Sequence, residues 1–303
     1  MIYKELGATG VQIPEIGIGT YAYQSGPEPL RRGLESGALL IDTAESYGTE
    51  RVVGEAVRGM RDRVFIATKV SPENFRAADL RKSVDARLRN LGVDTVDLLQ
   101  LHYPNPEIPI EETMGTLSQL ADAGKVRFCG VSNFSVAQLR EAQRALGSKH
   151  SVVSNQVRYN IADRTIEQEL LPYCLAQRIT VIAYSPFAKS LSRILDCDPG
   201  GTIAGIARSL GKSPAQIVLN WCLCHDGVVV IPKGGTVEHI LENCGASDWR
   251  LTADQMSLLD ASIQYRHRTR FDRIVRQGLP RPLQKAGLRV LKALPPGIRR
   301  RFL

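Results

Sequence analysis

Long hydrophobic runs are missing from this 303-residue chain. No apolar stretch approaches the roughly 20 residues that a membrane-spanning helix needs, and the first residues lack the charged-then-apolar layout of a signal peptide. With 43% hydrophobic and 23% charged residues, the composition is that of an ordinary globular protein. Fibrous and fully disordered proteins are therefore excluded as classes, and a cytoplasmic location is expected.

Paired cysteines are also missing. The six cysteines are scattered and none forms a CxxC pair, so we expect them to be reduced and mostly buried. Cys222, Cys224 and His225 are close in sequence, but residues two apart on a helix point in different directions. Because the four-ligand spacing of structural zinc is absent, we predict no metal site.

The glycine-rich turn of dinucleotide-binding sheets is missing as well. Residues Gly17 to Ala22 lack the third glycine of GxGxxG, which argues against an open, doubly wound sheet. Eight apolar runs instead alternate with helical patterns: Ile16–Tyr21, Ala38–Thr43, Arg63–Thr68, Thr95–Leu101, Val126–Val131, Ser151–Gln156, Thr180–Tyr184 and Val228–Ile231. Continuous Val, Ile and Leu runs indicate parallel strands that are covered on both faces. The predicted fold class is α/β, a single (β/α)8 TIM barrel.

Helical periodicity is clear between these runs. Leu80, Val84, Leu88 and Leu91 fall on one face of a predicted helix. Two further segments, Pro214–His225 and Thr252–Tyr265, predict extra C-terminal helices around the barrel, the first with a Ser213 cap. We therefore expect a barrel domain over residues 1–263.

Residues 264–303 form a predicted C-terminal extension that is basic and interrupted by proline. They contain twelve Lys and Arg against one acid, a charge of +11, so the first 263 residues carry −3 of the total +8. The leucines and basic residues of this tail could contact an anionic membrane or a protein partner. A solvated extension is the favoured interpretation, because the pattern is short for an independent helix. Few aromatics accompany the charges, so no nucleic-acid partner is predicted.

Polar side chains recur where the predicted strands end, at the face on which barrel enzymes place their active sites. Asp42, Tyr47, Lys69 and His102 each follow an apolar run. A lysine can lower the pKa of a nearby phenol, and an aspartate can hold that lysine in place. An imidazole can orient a carbonyl oxygen. Together they predict a site that protonates an oxygen as negative charge develops on it.

No nucleophile with its own base accompanies these groups. Ser46 lies in the same loop, but the elbow turn and oxyanion nest of hydrolases are missing. Proton donation without a nucleophile suits hydride transfer from a nicotinamide to a carbonyl. Each residue alone could be structural, a helix cap or a core histidine for example. The joint pattern favours a shared site.

The chain resembles the aldo-keto reductase family over residues 1 to about 263. The similar segments are, in order, DTAESYG (42–48), IATK (66–69), LQLH (99–102), GVSNF (130–134), SNQ (154–156), AYSP (183–186) and IPK (231–233). The resemblance implies a nicotinamide-dependent carbonyl reductase with Tyr47 as general acid, tuned by Lys69 and Asp42. His102 would orient the carbonyl. A monomer is the family's common state.

The resemblance also implies a set of cofactor-binding residues. They are Gly19, Thr20, Ser132, Asn133, Gln156, Tyr184, Ser185, Pro186, Lys233, Gly234, His239, Glu242 and Asn243. Ser132, Asn133 and Gln156 would bind the nicotinamide carboxamide and Tyr184 would stack on its ring. The loop from Ser185 would cover the pyrophosphate, and the residues from Lys233 onward would meet the adenosine end.

Cofactor preference depends on two departures from the family's phosphate-binding pattern. Gly234 stands where a serine usually follows the lysine, and His239 stands where an arginine is usual. A mostly neutral histidine binds a 2′-phosphate more weakly than a bidentate arginine does. We predict NADPH as cofactor, with NADH possible.

Substrate identity is less defined by the sequence. Tyr21, Tyr103 and Phe187 are candidates for the walls of the pocket, with an aldehyde or ketone as the small-molecule substrate. Two alternatives remain open at this point. A regulatory subunit that senses the cofactor could retain the same four residues, and an isomerase could use transient redox chemistry without net turnover of cofactor.

Overall fold

The computed structural model describes residues 1–265 of the chain. Its first element is an antiparallel hairpin of β1 (Tyr3–Glu5) and β2 (Gln12–Pro14). Gly7 and Gly10 in the connecting turn have φ of +56° and +74°, in the left-handed region that favours glycine. This hairpin was not predicted, because strands of three residues carry too little periodicity to be recognised.

Eight parallel strands follow, and each overlaps one of the predicted segments. They are β3 (Ile18–Gly19), β4 (Leu40–Asp42), β5 (Phe65–Val70), β6 (Val96–Leu101), β7 (Val126–Ser132), β8 (Val152–Arg158), β9 (Thr180–Tyr184) and β10 (Val228–Val230). Their order in the sheet is their order in the chain. Parallel bridges from Ile16 to Val230 and from Gly19 to Lys233 join the first strand region to the last. The predicted (β/α)8 barrel is confirmed.

Helices surround this sheet. They are α1 (Pro27–Glu35), α2 (Glu50–Val57), α3 (Ala77–Leu91), α4 (Ile110–Asp122), α5 (Val136–Leu146), α6 (Leu170–Ala176), α7 (Leu191–Leu195), α8 (Thr202–Leu210), α9 (Pro214–Leu223), α10 (Val237–Cys244) and α11 (Ala253–Ser262). Within residues 1–265, α11 is the helix that follows the eighth strand–helix unit.

The predicted cap of α9 is present. The Ser213 side chain accepts a hydrogen bond from the Gln216 amide, and the Gln216 side chain accepts one from the Ser213 amide. Pro214 occupies the first turn, where its missing N–H costs nothing. Thr252 and Gln255 form the same reciprocal pair at the start of α11.

Two groups of buried side chains hold the barrel together. The larger lies between the sheet and the helices and includes Leu80, Val84 and Leu91 of α3. The smaller group lies on the alternate faces of the strands, which in a barrel point to its interior. It includes Leu40, Phe65, Ala67, Leu98, Val153, Ile182, Val229 and Ile231.

The hairpin belongs to this second group. Leu6 and Ile13 are buried with the interior residues, at 0% and 1% exposure. The Lys4 ammonium donates 2.8 Å hydrogen bonds to the carbonyls of Leu223 and Val228, which fixes the hairpin to the last residue of α9 and the first residue of β10. The end of the barrel opposite the strand exits is therefore plugged by apolar side chains.

The predicted extension lies outside the described residues, apart from Gln264 and Tyr265. Its boundary at residue 263 and its proposed contacts stay predictions. Among residues 1–265, no helix combines the length and apolar character needed to cross a bilayer.

Candidate active site

Four candidate side chains lie at the carboxyl ends of adjacent strands. Asp42 ends β4, and Tyr47 ends a single 3₁₀ turn that begins at Glu45. Lys69 is the penultimate residue of β5, and His102 directly follows β6. Parallel strands in one sheet all end at the same face, so residues far apart in sequence arrive at one place.

Lys69 and Asp42 form a buried ion pair. The Lys69 Nζ lies 2.6 Å from Asp42 Oδ2, and their side chains are 0% and 3% exposed. Nζ also donates to the Thr43 carbonyl at 2.9 Å. The second carboxylate oxygen, Oδ1, accepts a 2.7 Å hydrogen bond from Gln156 Nε2. Both charges are thus held in a fixed geometry by further polar partners.

Tyr47 lies between this pair and His102. The Lys69 Nζ is 4.8 Å from the centre of the Tyr47 ring. The Tyr47 and His102 ring centres are 5.7 Å apart, with planes inclined at 74°. A phenol, an ammonium, a carboxylate and an imidazole therefore surround one small volume at the strand exits.

The pKa of Tyr47 differs from the expectation. A lowering by Lys69 was predicted, but burial raises the pKa of the Tyr47 phenol, and the Asp42 carboxylate raises it further. That prediction was wrong because it weighed the lysine charge and not the desolvation of a half-buried ring. Burial likewise lowers the pKa of the Lys69 ammonium, and Asp42 opposes that effect.

A second set of polar side chains borders the same volume. The Ser132 hydroxyl donates to the Gln156 carbonyl at 2.8 Å, and Asn133 Nδ2 lies 2.9 Å from Ser132 Oγ. Asn133 Nδ2 also lies 3.2 Å from the His102 carbonyl, while Tyr184 donates to Asn133 Oδ1 at 2.9 Å. Asn133 has φ of +64°, a left-handed conformation that asparagine tolerates and that aims its amide inward.

The loop after β9 carries the next predicted residues. Ser185 has φ of +51°, and its carbonyl accepts a 3.0 Å hydrogen bond from Asn160 Nδ2. Pro186 follows it, and Ala188 and Lys189 are also left-handed. Such a run of positive φ is uncommon outside glycine and marks a loop whose shape is imposed by its surroundings.

Gly19 and Thr20 lie beneath the site. A Cβ on Gly19 would approach the Ile231 carbonyl oxygen to 2.7 Å, so the close approach of β3 to the chain after β10 requires glycine. Thr20 is fully buried. Its hydroxyl donates to the Asp42 carbonyl at 2.9 Å and contacts the Thr49 hydroxyl, so its side chain is engaged within the protein.

The residues from Lys233 onward form a separate exposed segment. Lys233 is exposed, and its ammonium donates to the Ala22 carbonyl at 3.0 Å. Helix α10 follows, capped by Thr236, with His239 in its exposed first turn. Glu242 is half-buried and Asn243 is buried within the same helix.

Comparison with known proteins adds the deciding observation. The sequence profile described as the Aldo/keto reductase family matches residues 10–264, which is most of the chain. The chain belongs to the aldo/keto reductase family. It is an oxidoreductase whose relatives reduce carbonyl groups.

Individual relatives agree with that membership. The chain is 36% identical over 260 residues to methylglyoxal reductase YeaE of Escherichia coli strain K12, covering 82% of this chain and 91% of that protein. It is 33% identical to glyoxal reductase of Bacillus subtilis strain 168, covering 83% and 90%.

Solved structures share the fold. The thermostable aldo-keto reductase Tm1743, in complex with the inhibitor epalrestat, has a TM-score of 0.81 at 39% identity, covering 86% of this chain and 99% of that one. An aldo-keto reductase from Klebsiella pneumoniae in complex with NADPH also has a TM-score of 0.81, at 34% identity and with coverage of 88% and 98%.

The three aromatic residues predicted to line the pocket of this aldo-keto reductase differ in exposure and in what they contact. Tyr21 is 69% exposed, and its ring centre lies 5.2 Å from that of Tyr47. Tyr103 is 45% exposed and stacks on the His102 ring at 4.9 Å. Phe187 is partly buried and packs against the core outside the sheet. The first two aromatics therefore border the four candidate side chains directly.

Sequence reasoning missed a buried charged network beside the candidate site. Arg87 forms ion pairs with both Glu45, in the turn that carries Tyr47, and Glu50, at the start of α2. One signal could have revealed it. Arg87 lies three residues after Val84 and four before Leu91, on the apolar stripe of α3, where a charged residue needs a buried partner.

Proposed function

We propose that this reductase uses NADPH to reduce an aldehyde or ketone to an alcohol, with Tyr47 as the general acid. The cluster of Tyr47, Lys69, Asp42 and His102 at the strand exits carries the proposal. Small 2-oxoaldehydes are the substrate class we assign, on the ground of the methylglyoxal and glyoxal reductases among its relatives.

The proton comes from the Tyr47 hydroxyl in this mechanism. Its raised pKa keeps the phenol protonated near neutral pH, so the acid is in its donating form when substrate binds. The proton passes to the carbonyl oxygen of the substrate as negative charge develops there. The buried Lys69 charge, 4.8 Å from the ring centre, stabilises the phenolate that remains.

Asp42 and His102 have supporting roles. The Asp42 carboxylate fixes the Lys69 ammonium at 2.6 Å and balances its charge, which makes a buried lysine tolerable. His102 approaches the other edge of Tyr47 and is stacked on Tyr103. A ring nitrogen in that position orients the substrate oxygen toward the phenol.

The residues beside this cluster fit a nicotinamide carboxamide. Asn133 and Gln156 present amide groups and Ser132 a hydroxyl, at the ends of neighbouring strands. The Gln156 Nε2 donates to Asp42 Oδ1 at 2.7 Å, which holds the Gln156 amide beside the four candidate side chains. An acceptor and a donor side by side are complementary to a primary amide. Held by Ser132, Asn133 and Gln156, a reduced nicotinamide would supply the hydride for the carbonyl carbon.

The segment from Lys233 to Asn243 fits the phosphate and adenosine end. An exposed lysine and the capped N-terminus of α10 favour an anion, and the backbone N–H groups of a helix start add to that preference. His239 replaces the usual arginine. We therefore propose NADPH as the preferred cofactor with reduced discrimination against NADH.

The function is tested by steady-state turnover with methylglyoxal, glyoxal and a larger aromatic aldehyde, followed by loss of reduced-nicotinamide absorbance. We expect turnover with the two small substrates, and a loss of at least roughly 100-fold in kcat for Tyr47→Phe with NADPH binding unchanged. Tyr3→Phe, in the hairpin at the other end, is the control. Unchanged kcat in Tyr47→Phe would refute the assigned role. Tight NADPH binding without turnover would support the cofactor-sensing alternative instead.

We further propose that the enzyme is a cytoplasmic monomer. Its substrate is a small molecule, and it has no nucleic-acid partner. The basic extension at 264–303 is proposed to be solvated, with membrane or protein contact as the less favoured alternative. Sedimentation with anionic liposomes, for the full chain and for a chain ending at residue 269, separates these cases. Greater partitioning of the full chain would overturn the solvated interpretation.

A further inference from the structure

A buried arginine on α3 contacts two carboxylates that belong to different elements. Arg87 is 7% exposed, and its Nε lies 2.5 Å from Glu50 Oε2. Its Nη1 lies 2.8 Å from Glu45 Oε1 and 3.1 Å from the Ser83 hydroxyl. The fork of the guanidinium therefore bridges the 3₁₀ turn that begins at Glu45 and the first residue of α2.

The first carboxylate ties the Tyr47 turn to the strand that carries Lys69. Glu45 is two residues before Tyr47. It accepts hydrogen bonds from the Ser71 amide at 2.9 Å and from Asn74 Nδ2 at 2.7 Å. Ser71 is two residues after Lys69, so the turn and the strand exit are joined through one side chain.

The second carboxylate reaches the same strand from below. Glu50 is 3% exposed and accepts a 3.1 Å hydrogen bond from the Thr68 hydroxyl. Thr68 immediately precedes Lys69. Asn90 donates to the other Glu50 oxygen at 3.1 Å. Arg87 thus connects two carboxylates that accept hydrogen bonds from residues on either side of Lys69, Thr68 and Ser71.

Charge balance explains why the arginine is required. Burial opposes ionisation of Glu45, but hydrogen bonds from Ser71, Asn74 and Arg87 outweigh it and lower its pKa. Without Arg87, the Glu45 and Glu50 carboxylates would lose the cation that pairs with both, and their like charges would repel. Buried ion pairs add little net stability compared with apolar packing, and their best-attested benefit is a fixed geometry. The element fixed here is the turn that ends at Tyr47.

We propose that Arg87 is a positioning residue for the general acid: by bridging Glu45 and Glu50 it sets the Tyr47 phenol over the Lys69 ammonium. This inference rests on the proposed function of Tyr47. It requires that loss of the bridge lowers kcat while cofactor binding, which uses other strand exits, is unaffected.

The test compares Arg87→Met, which keeps length without charge, with Arg89→Met, an exposed position on the same helix. We expect Arg87→Met to lower kcat by tenfold or more, with the Kd for NADPH, measured by fluorescence quenching, within twofold of the parent. Arg89→Met should change neither. An unchanged kcat, or a loss that appears only in NADPH affinity, overturns the proposal.

Two further variants separate positioning from a general loss of folding. Glu45→Gln keeps the shape of the Glu45 side chain without its charge and should give the same selective fall in kcat. Adding Glu50→Gln to Arg87→Met removes the repulsion between the Glu45 and Glu50 carboxylates. The kcat of this double variant should be at least threefold higher than that of Arg87→Met alone. If Arg87→Met does not fold properly, the Glu45→Gln variant is the test. Full activity of Glu45→Gln would then overturn the proposal.

A double-mutant cycle distinguishes failure of this inference from failure of the function. In a Tyr47→Phe background, Arg87→Met should cause no further loss of the residual kcat, because the group that it positions is already absent. Additive losses would show that Arg87 does not act through Tyr47. Full turnover of Tyr47→Phe alone would instead reject the proposed role of the phenol.

Discussion

The Asp42 carboxylate and the Lys69 ammonium, 2.6 Å apart, come from the ends of adjacent parallel strands and are both almost fully buried. Burial lowers the pKa of the lysine, and the carboxylate opposes that effect. Each charge is therefore tolerable only in the presence of the other. The pair should therefore contribute to the stability of the fold as well as to the proposed proton transfer from Tyr47.

Replacing one partner of this pair should destabilise the protein. We expect Asp42→Asn to lower the free energy of unfolding by about 3 kcal/mol, because the Lys69 charge is left buried without its counterion. Denaturant titration measures the change. Asp85→Asn, at an exposed pair with Lys125, is the control and should cost less than about 1 kcal/mol.

The double variant Asp42→Asn/Lys69→Met separates stability from activity. It should regain most of the lost stability, since an apolar side chain of similar length needs no counterion. It should remain without significant turnover, because the charge beside the Tyr47 phenol is gone. Recovery of activity together with stability would contradict the proposed role of Lys69.

The pH dependence of reduction follows from the direction of the Tyr47 shift. Burial raises the pKa of this phenol above its unperturbed value of 10.0. A group with a raised pKa keeps its proton as the pH rises, so the acid form should persist through neutral and moderately alkaline solution. We expect kcat for reduction to be flat from about pH 6 to about pH 9 and to fall only at higher pH. If kcat instead falls with a midpoint below about pH 9, the effect of Lys69 or of the bound cofactor on the Tyr47 pKa outweighs that of burial.

The strand exits were predictable because of a simple geometric rule. Continuous apolar runs mark the parallel strands, and residues such as Lys69 and His102 follow them directly in the sequence. Since all strands of the barrel end at one face, order along the chain was sufficient to predict that these side chains approach one another. No knowledge of side-chain packing was needed for that step.

Other features depended on packing and were not predictable. The sign of the Tyr47 pKa shift depends on how deeply its ring is buried, which no spacing reveals. The hairpin at Tyr3–Glu5 and Gln12–Pro14 is too short for a periodic signal. Arg87 was visible as a charged residue on an apolar stripe, but its two partners come from other elements.

The hairpin provides a test at the far end of the barrel. Leu6 is fully buried among the interior side chains, so Leu6→Ala leaves a cavity and should cost about 2–5 kcal/mol of unfolding free energy. Because the site lies at the opposite face, kcat should be unchanged at temperatures where the variant is folded. Leu258→Ala, at a 51% exposed position, is the matched control and should cost less than about 0.5 kcal/mol. A kcat that falls with Leu6→Ala would show that the two ends are coupled.

Gly234 is constrained by packing rather than by its own conformation. A Cβ at this position would lie 2.3 Å from Ile240 Cγ1, and Ile240 is buried. We expect Gly234→Ser, which introduces the family's usual residue, to destabilise the protein by about 1–3 kcal/mol through overpacking. It should not raise the preference for NADPH, because α10 must shift to admit the side chain. Thermal denaturation and the ratio of kcat/KM for the two cofactors check both parts. A stable variant with increased NADPH preference would contradict this account.

His239 is the position at which cofactor preference should be adjustable. It lies exposed in the first turn of α10, close in sequence to Lys233. His239→Arg adds a permanent charge and a bidentate donor, so the ratio of kcat/KM for NADPH over NADH should rise about tenfold, equivalent to about 1.4 kcal/mol. His239→Ala removes the imidazole and should leave the ratio nearly unchanged, because a histidine lacks the bidentate donor pair that an arginine offers to a phosphate. A parent enzyme that already prefers NADPH by more than roughly a thousandfold would show that the site needs no arginine for discrimination.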